Sequence, residues 1–184
     1  TPADTPAPVG FPILEFCAGI YAAAAIMVAL RVRRLHTRGQ GIDIALFDCA
    51  LSTLSTFLPF HMIGKPAIRA GNRHSLAAPW NAYRATDGWI LICTATDEQW
   101  QRLCTAMQQP ELAHMPSYAT NANRVARSAE IDKLVQDWVS GKSVRVCGES
   151  LAEMNIPCGP IATVAQFASE PNFLHRGMIR FLQN

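Results

Sequence analysis

Residues 10–41 read "GFPILEFCAGIYAAAAIMVALRVRRLHTRGQG", and they place one carboxylate, Glu15, at the mouth of a long apolar run. Between Phe16 and Leu30 no residue carries a charge. Pro12 suits the first turn of a helix, where its missing N–H costs nothing. At the other end Arg31, Arg33, Arg34 and Arg38 crowd together, where cations complement the helix macrodipole. The stretch therefore predicts one helix over about 12–36, stopped by Gly39. Because the helix is apolar all round, it belongs inside a large fold. Its uncharged part would reach roughly 22 Å, short of the ~30 Å hydrocarbon core, so no membrane span is expected.

Working outward from that helix, "GIDIALFD" predicts a short buried strand at 42–46, and a second apolar helix follows at 47–58. Helix, glycine turn, strand and helix together read as a piece of an α/β layer. Residues 59–79, "PFHMIGKPAIRAGNRHSLAAP", hold three prolines, two glycines and little periodicity. They read as a linker or functional loop. Beyond it, "DGWILICTA" predicts a turn and a strand. "TDEQ" matches a capping box opening a helix with Trp100, Leu103, Cys104 and Met107 on one face. Ser128 is expected to cap a further helix carrying Ile131, Leu134, Val135 and Trp138, closed by Gly141. A third helix is expected over 143–154, and "IPCGPIATVAQFASEP" predicts a Pro-bounded strand and a short helical turn. The second half is thus a small α+β domain.

Composition narrows the function. A hydrophobic content of 49% with 16% charged residues describes a chain able to build a core. The net charge of +2 is small and scattered, and no basic run alternates with aromatics, so nucleic acid is not an expected partner. The six cysteines form no CxxC pair and read as reduced thiols used as small hydrophobes, which places the protein in the cytoplasm. Histidines and cysteines never cluster at ligand spacing, so no metal site is expected. There is no GxGxxG, no Walker loop and no GxSxG elbow. The N-terminus lacks the basic region of a secretory signal.

Glu15 remains. Two readings of it stand side by side. In one it is a solvated first-turn acid, stabilised by the helix N-terminus. In the other the same N–H groups hold an ionised carboxylate beside an apolar pocket, where it is able to attack an activated acyl group.

The residues 10–48, then "GKPAIRAGNRHSLAAPWNAYRATDGWILI", "PSYATNANRVAR" and "IPCGPI", resemble in order the class III CoA-transferase family of the CaiB/BaiF type. Formyl-CoA and carnitine-CoA transferases are members, and α-methylacyl-CoA racemase is a relative. The resemblance implies an α/β fold: a Rossmann-like large domain, a small α+β domain, and two subunits interlocked like chain links. It assigns 1–58 to a segment of the large domain, 59–79 to the linker and active-site loop, 80–171 to the small domain and 172–184 to the start of the return linker. Most of the CoA-nucleotide contacts would then lie outside these residues, so that 184 residues alone would not make a competent enzyme of this kind.

The resemblance further implies an aspartate that attacks the acyl-CoA thioester just before the "AG" of the long helix. Glu15 occupies the position here. It has the same carboxylate on one more methylene, and a ~1 Å change of reach is able to cost ~100-fold. The loop matching the glycine-rich flap over the reacting carboxylate reads "NRHSLAAP", without the glycine run. Asn72, Arg73 and His74 are its candidate substrate-binding or lid residues: His74 as a hydrogen-bond partner of an acyl group or acceptor carboxylate, Arg73 as a holder of an anionic one. Each has the alternative of a solvated loop residue. Trp80, Tyr83, Trp89, Trp100 and Trp138 are expected to be packing aromatics.

The resemblance thus implies CoA transfer between an acyl-CoA and a carboxylic acid through a carboxylate–enzyme intermediate. The coenzyme A thioester is a substrate, and no tightly bound cofactor is expected. Two alternatives are an acyl-CoA racemase with Glu15 as base, and a non-catalytic homologue.

Overall fold

A computed structural model describes residues 5, 7–65 and 69–180. The chain divides between Arg69 and Ala70 into two compact units.

The first unit is helical. Helix α1 spans Ile13–His36, with Pro12 at its N-cap and Glu15 in the first turn. It stops two residues before Gly39, at Thr37, which takes a left-handed φ of 53°. The Thr37 amide donates to Arg33 O at 2.8 Å, and its hydroxyl bonds His36 O, so a local cap replaces the glycine. Residues 38–45 form no strand, against the expectation for 42–46. A strand needs a partner ladder, and the described part of this unit has no strand to offer one. The expected second helix is broken in two, α2 (Leu46–Thr53) and α3 (Phe57–Met62).

No residue of α1 is buried. The burial expected of an all-apolar helix is not met within this chain, where α2 packs along it and Tyr21 Oη meets Ser52 Oγ at 3.0 Å. The length argument against a membrane span also fails. It counted only the uncharged residues, whereas α1 has 24 and is long and apolar enough to cross a bilayer. That test is met equally by the core helix of a soluble protein.

The second unit holds the core. Strands β1 (Trp80–Arg84), β2 (Trp89–Cys93) and β3 (Cys158–Pro160) form an antiparallel sheet in that order. In the β1–β2 hairpin Trp80 pairs with Cys93 and Arg84 with Trp89; Ile92 then pairs with Cys158. Pro160 sits on the edge strand, where its missing N–H breaks no ladder. The 85–88 turn closes by Ala85 N–H to Gly88 O at 2.9 Å. A Cβ on Gly88 would lie 3.3 Å from Val144 Cγ2, so the turn approaches the neighbouring helix closely.

Helices α4 (Asp97–Ala106), α5 (Asn121–Ala126), α6 (Ser128–Ser140) and α7 (Val144–Glu153) complete this unit's core, with a 3₁₀ turn at Pro110–His114. Short helices α8 (Val164–Ala168) and α9 (Pro171–His175) follow. The Thr96–Gln99 capping box is formed at α4. Ser128 is the first residue of α6 rather than its cap; Arg127 holds that place without a side-chain bond. Helix α7 is capped twice, by Ser143 Oγ and by Asp87 Oδ1, which accepts from Val144 N–H at 2.8 Å. Tyr83, Ile90 and Ile92 from the sheet meet Trp100, Leu103, Ile131 and Val135 from the helices in one cluster. All six cysteines are free thiols. Burial pushes the Cys104 thiol up to about 12, and raises those of Cys93, Cys147 and Cys158.

Candidate functional site

Glu15 stands in the first turn of α1, at the positive end of the helix. It is exposed. On one side Pro12, Phe16, Gly19, Ile20 and Ala23 join it in an open, mainly apolar hollow of about 430 Å³. On the other, residues 9–14 line a second hollow of about 530 Å³. Gly19 lies four residues on from Glu15, on the same helix face, and a Cβ there would touch nothing. The carboxylate is thus flanked by apolar surface and bare backbone.

The other three candidate residues fall together in one turn of the second unit. Gly71, at φ +66°, bends the chain, and Asn72 is exposed beside it. Arg73 is not a loose cation waiting for an anion: its Nε donates to Asp132 Oδ2 on α6. Asp132 also accepts from Tyr83 Oη at 2.7 Å and from Asn81 Nδ2 at 3.0 Å. Burial first, and then the Asp132 carboxylate, hold the Tyr83 phenol far above its ordinary value, so it stays a donor.

His74 is fixed from three directions. Its amide donates to Trp80 O at 3.0 Å, and its ring stacks on Trp80 with centroids 4.5 Å apart and planes at 21°. Its Nδ1 accepts from Leu76 N–H at 3.2 Å. In the neutral ring the proton therefore sits on Nε2, which makes His74 an exposed, oriented donor.

The far end of the loop is anchored more deeply. Asn121 accepts from Ala78 N–H at 3.2 Å and donates to Leu76 O at 2.8 Å. Arg124, fully buried, donates to Ala78 O, Tyr118 O and Asp97 Oδ1, each at 2.8 Å, and lies over the Trp100 ring. Thr94 meets Pro79 O with both amide and hydroxyl, at 2.9 Å each. Asp132, Asn121 and Arg124 were missed in the sequence because the loop and strand residues they hold lie 43 to 59 residues away, at no fixed spacing. Of the expected packing aromatics, Tyr83 and Trp100 are buried, while Trp80 serves as the platform for His74.

No group of three or more His, Cys, Asp or Glu able to hold a metal occurs among the described residues.

Comparison with known proteins matches this chain over residues 1–184 to the family model "CoA-transferase family III". A succinyl-CoA–D-citramalate CoA-transferase of Chloroflexus aurantiacus is 32% identical over 180 residues, 97% of this chain and 45% of that protein. The succinyl-CoA–L-malate CoA-transferase alpha subunit of the same organism is 30% identical, over 96% of this chain and 42% of the relative. Among solved structures, a CaiB/BaiF family protein from Brucella suis superimposes with a TM-score of 0.80 at 34% identity, covering 96% of this chain and 47% of that one. The chain thus spans somewhat under half the length of the relatives it matches.

Proposed function

Because the chain belongs to CoA-transferase family III, we propose that it forms part of an enzyme moving CoA between an acyl-CoA and a carboxylic acid, with Glu15 as the covalent nucleophile. The observation that carries this reading is the family match across the whole chain, with a carboxylate at the head of α1 flanked by an apolar hollow. The relatives named above are CoA-transferases of dicarboxylic acids, which favours transfer over proton abstraction.

In this mechanism a Glu15 oxygen attacks the thioester carbonyl. The C–S bond breaks, CoA leaves as thiolate, and a mixed anhydride remains on Glu15. The thiolate then attacks the Glu15 carbonyl, releasing the donor acid as carboxylate and leaving a glutamyl–CoA thioester. An acceptor carboxylate attacks that thioester and expels CoA thiolate again, which finally takes the acyl group from the new anhydride and frees Glu15. No net proton is consumed. Oriented N–H donors stabilise the oxyanions formed at each attack. Such a site must exclude water, which would otherwise hydrolyse the anhydride.

The remainder of a Rossmann-like large domain would cover α1 and supply most of the CoA-nucleotide contacts. The active form would be an interlocked homodimer in the cytoplasm, with no tightly bound cofactor.

Incubating the full-length protein with succinyl-CoA and then borohydride or hydroxylamine is expected to modify Glu15, as read by peptide mass. Glu15→Gln should lose at least ~10⁴-fold in transfer, and Glu15→Asp about 100-fold through the shortened reach. A fully active E15Q enzyme, or label on another residue, would overturn the assignment. Deuterium entering the α-carbon without acceptor acid would point instead to proton abstraction.

A further inference from the structure

The loop from Ala70 to Pro79 is held unequally along its length. Its second half is tied down by buried or part-buried groups: Asn121 on Leu76 and Ala78, Arg124 on Ala78, and Thr94 on Pro79. Among the described residues, its first half is fixed on the body of the unit by the His74–Trp80 contacts and the Arg73–Asp132 ion pair. Asp132 is unusual among the carboxylates in ion pairs here. Its side chain is only 13% exposed, and it gathers one donor from the loop and two from β1. Tyr83 and Asn81 fix the carboxylate from the sheet side, leaving it aimed at Arg73. A charge-assisted contact to a carboxylate already desolvated and oriented is stronger than an exposed surface pair.

We propose that Asp132 is the positioning residue of the loop, acting through Arg73 to set where residues 70–75, and hence His74 Nε2–H, stand. This rests on the functional reading above for its catalytic consequence, in which residues 72–74 belong to the substrate-binding loop. Asp132 touches no substrate itself. It decides the loop's geometry from α6, across a separation of 59 residues from Arg73.

The test uses the full-length protein and the variants Asp132→Asn, Asp132→Glu and Arg73→Ala. Asp132→Asn also loosens Tyr83 and Asn81, so Arg73→Ala, which leaves those two bonds intact, guards against a mere loss of packing. Amide exchange at Arg73 and His74 is expected to rise at least ~10-fold in both D132N and R73A, with Thr94 and Ile92 unchanged. In kinetics with succinyl-CoA, kcat should fall about 10-fold with KM nearly constant, and the share of thioester lost to water should rise. The double variant should be no worse than the worse single one, and D132E should recover part of the loss. Unchanged exchange at His74 in R73A would overturn the proposal, as would equal acceleration at Thr94. A freed loop with unaltered kcat and partitioning would overturn it too. Absence of transfer and of Glu15 labelling in the wild type would instead sink the functional reading, while the exchange data still decide whether Asp132 fixes the loop.

Discussion

Replacing Arg124 by methionine gives a large effect whose size follows from the structure. The guanidinium is fully buried and makes three 2.8 Å bonds, to the carbonyls of Ala78 and Tyr118 and to Asp97. Methionine keeps much of the volume and the contact with Trp100 but supplies no donor. Two carbonyls lose their partner at about 1–3 kcal/mol each. Removing a buried charge returns part of that, because its desolvation is no longer required, and the expected net loss is about 2–4 kcal/mol. Asp97 behaves differently. Its side chain is 49% exposed, so Asp97→Asn lets water replace the pair and should cost about 1 kcal/mol or less. Arg124→Lys should fall between, since one ammonium does not span three diverging acceptors. Urea unfolding followed by tryptophan fluorescence reads this directly, because all four tryptophans lie between residues 80 and 138. An R124M protein within about 1 kcal/mol of wild type, or a D97N protein as damaged as R124M, would refute the reasoning.

Other expectations are more local. Gly19→Leu should fill the hollow beside Glu15 and raise KM for acyl-CoA in the full-length enzyme, as steady-state kinetics would read. Thr96→Ala removes the α4 capping box and should cost about 1 kcal/mol by denaturant titration. Alkali should destabilise the second unit in a defined order. The folded thiols and the Tyr83 phenol have raised pKa values, so their contribution is complete below the unfolded values and is lost as pH climbs beyond them. The Tm should thus begin to fall near pH ~8.5 from the cysteines and more steeply above pH ~10 from Tyr83. Tyr83→Phe should flatten the upper part of that profile, and an unchanged slope would contradict the assignment.

What could be read in the sequence was short-range. The Thr96–Gln99 box spans three residues, and the α4 and α6 faces repeat at helical period, so Trp100, Leu103, Ile131 and Val135 are buried as expected. Ile42 and Ile44 alternate like a strand, yet alternation is only half of a strand's requirement, and no ladder partner is present for them among the described residues. Strand β1, "WNAYR", was unread because it lacks clean alternation and exists through its pairing with β2. In the candidate site, Glu15 was visible through its contrast with an apolar run. The fixing of Arg73 was not, since Asp132 lies in a helix whose own pattern records only its buried face. A lone arginine in a polar loop looks free until the chain folds.

The bare flank of α1 has a consequence for how such a protein is made. The second unit closes its own interior from its own residues, so it is able to settle as soon as it emerges. Helix α1 is synthesised earlier, and among the described residues of its unit nothing comparable hides Phe16, Ile20 or Met27. Until a covering layer arrives it is a sticky rod, and the yield of soluble product will depend on how quickly that cover is supplied, by the same polypeptide or by a holding chaperone.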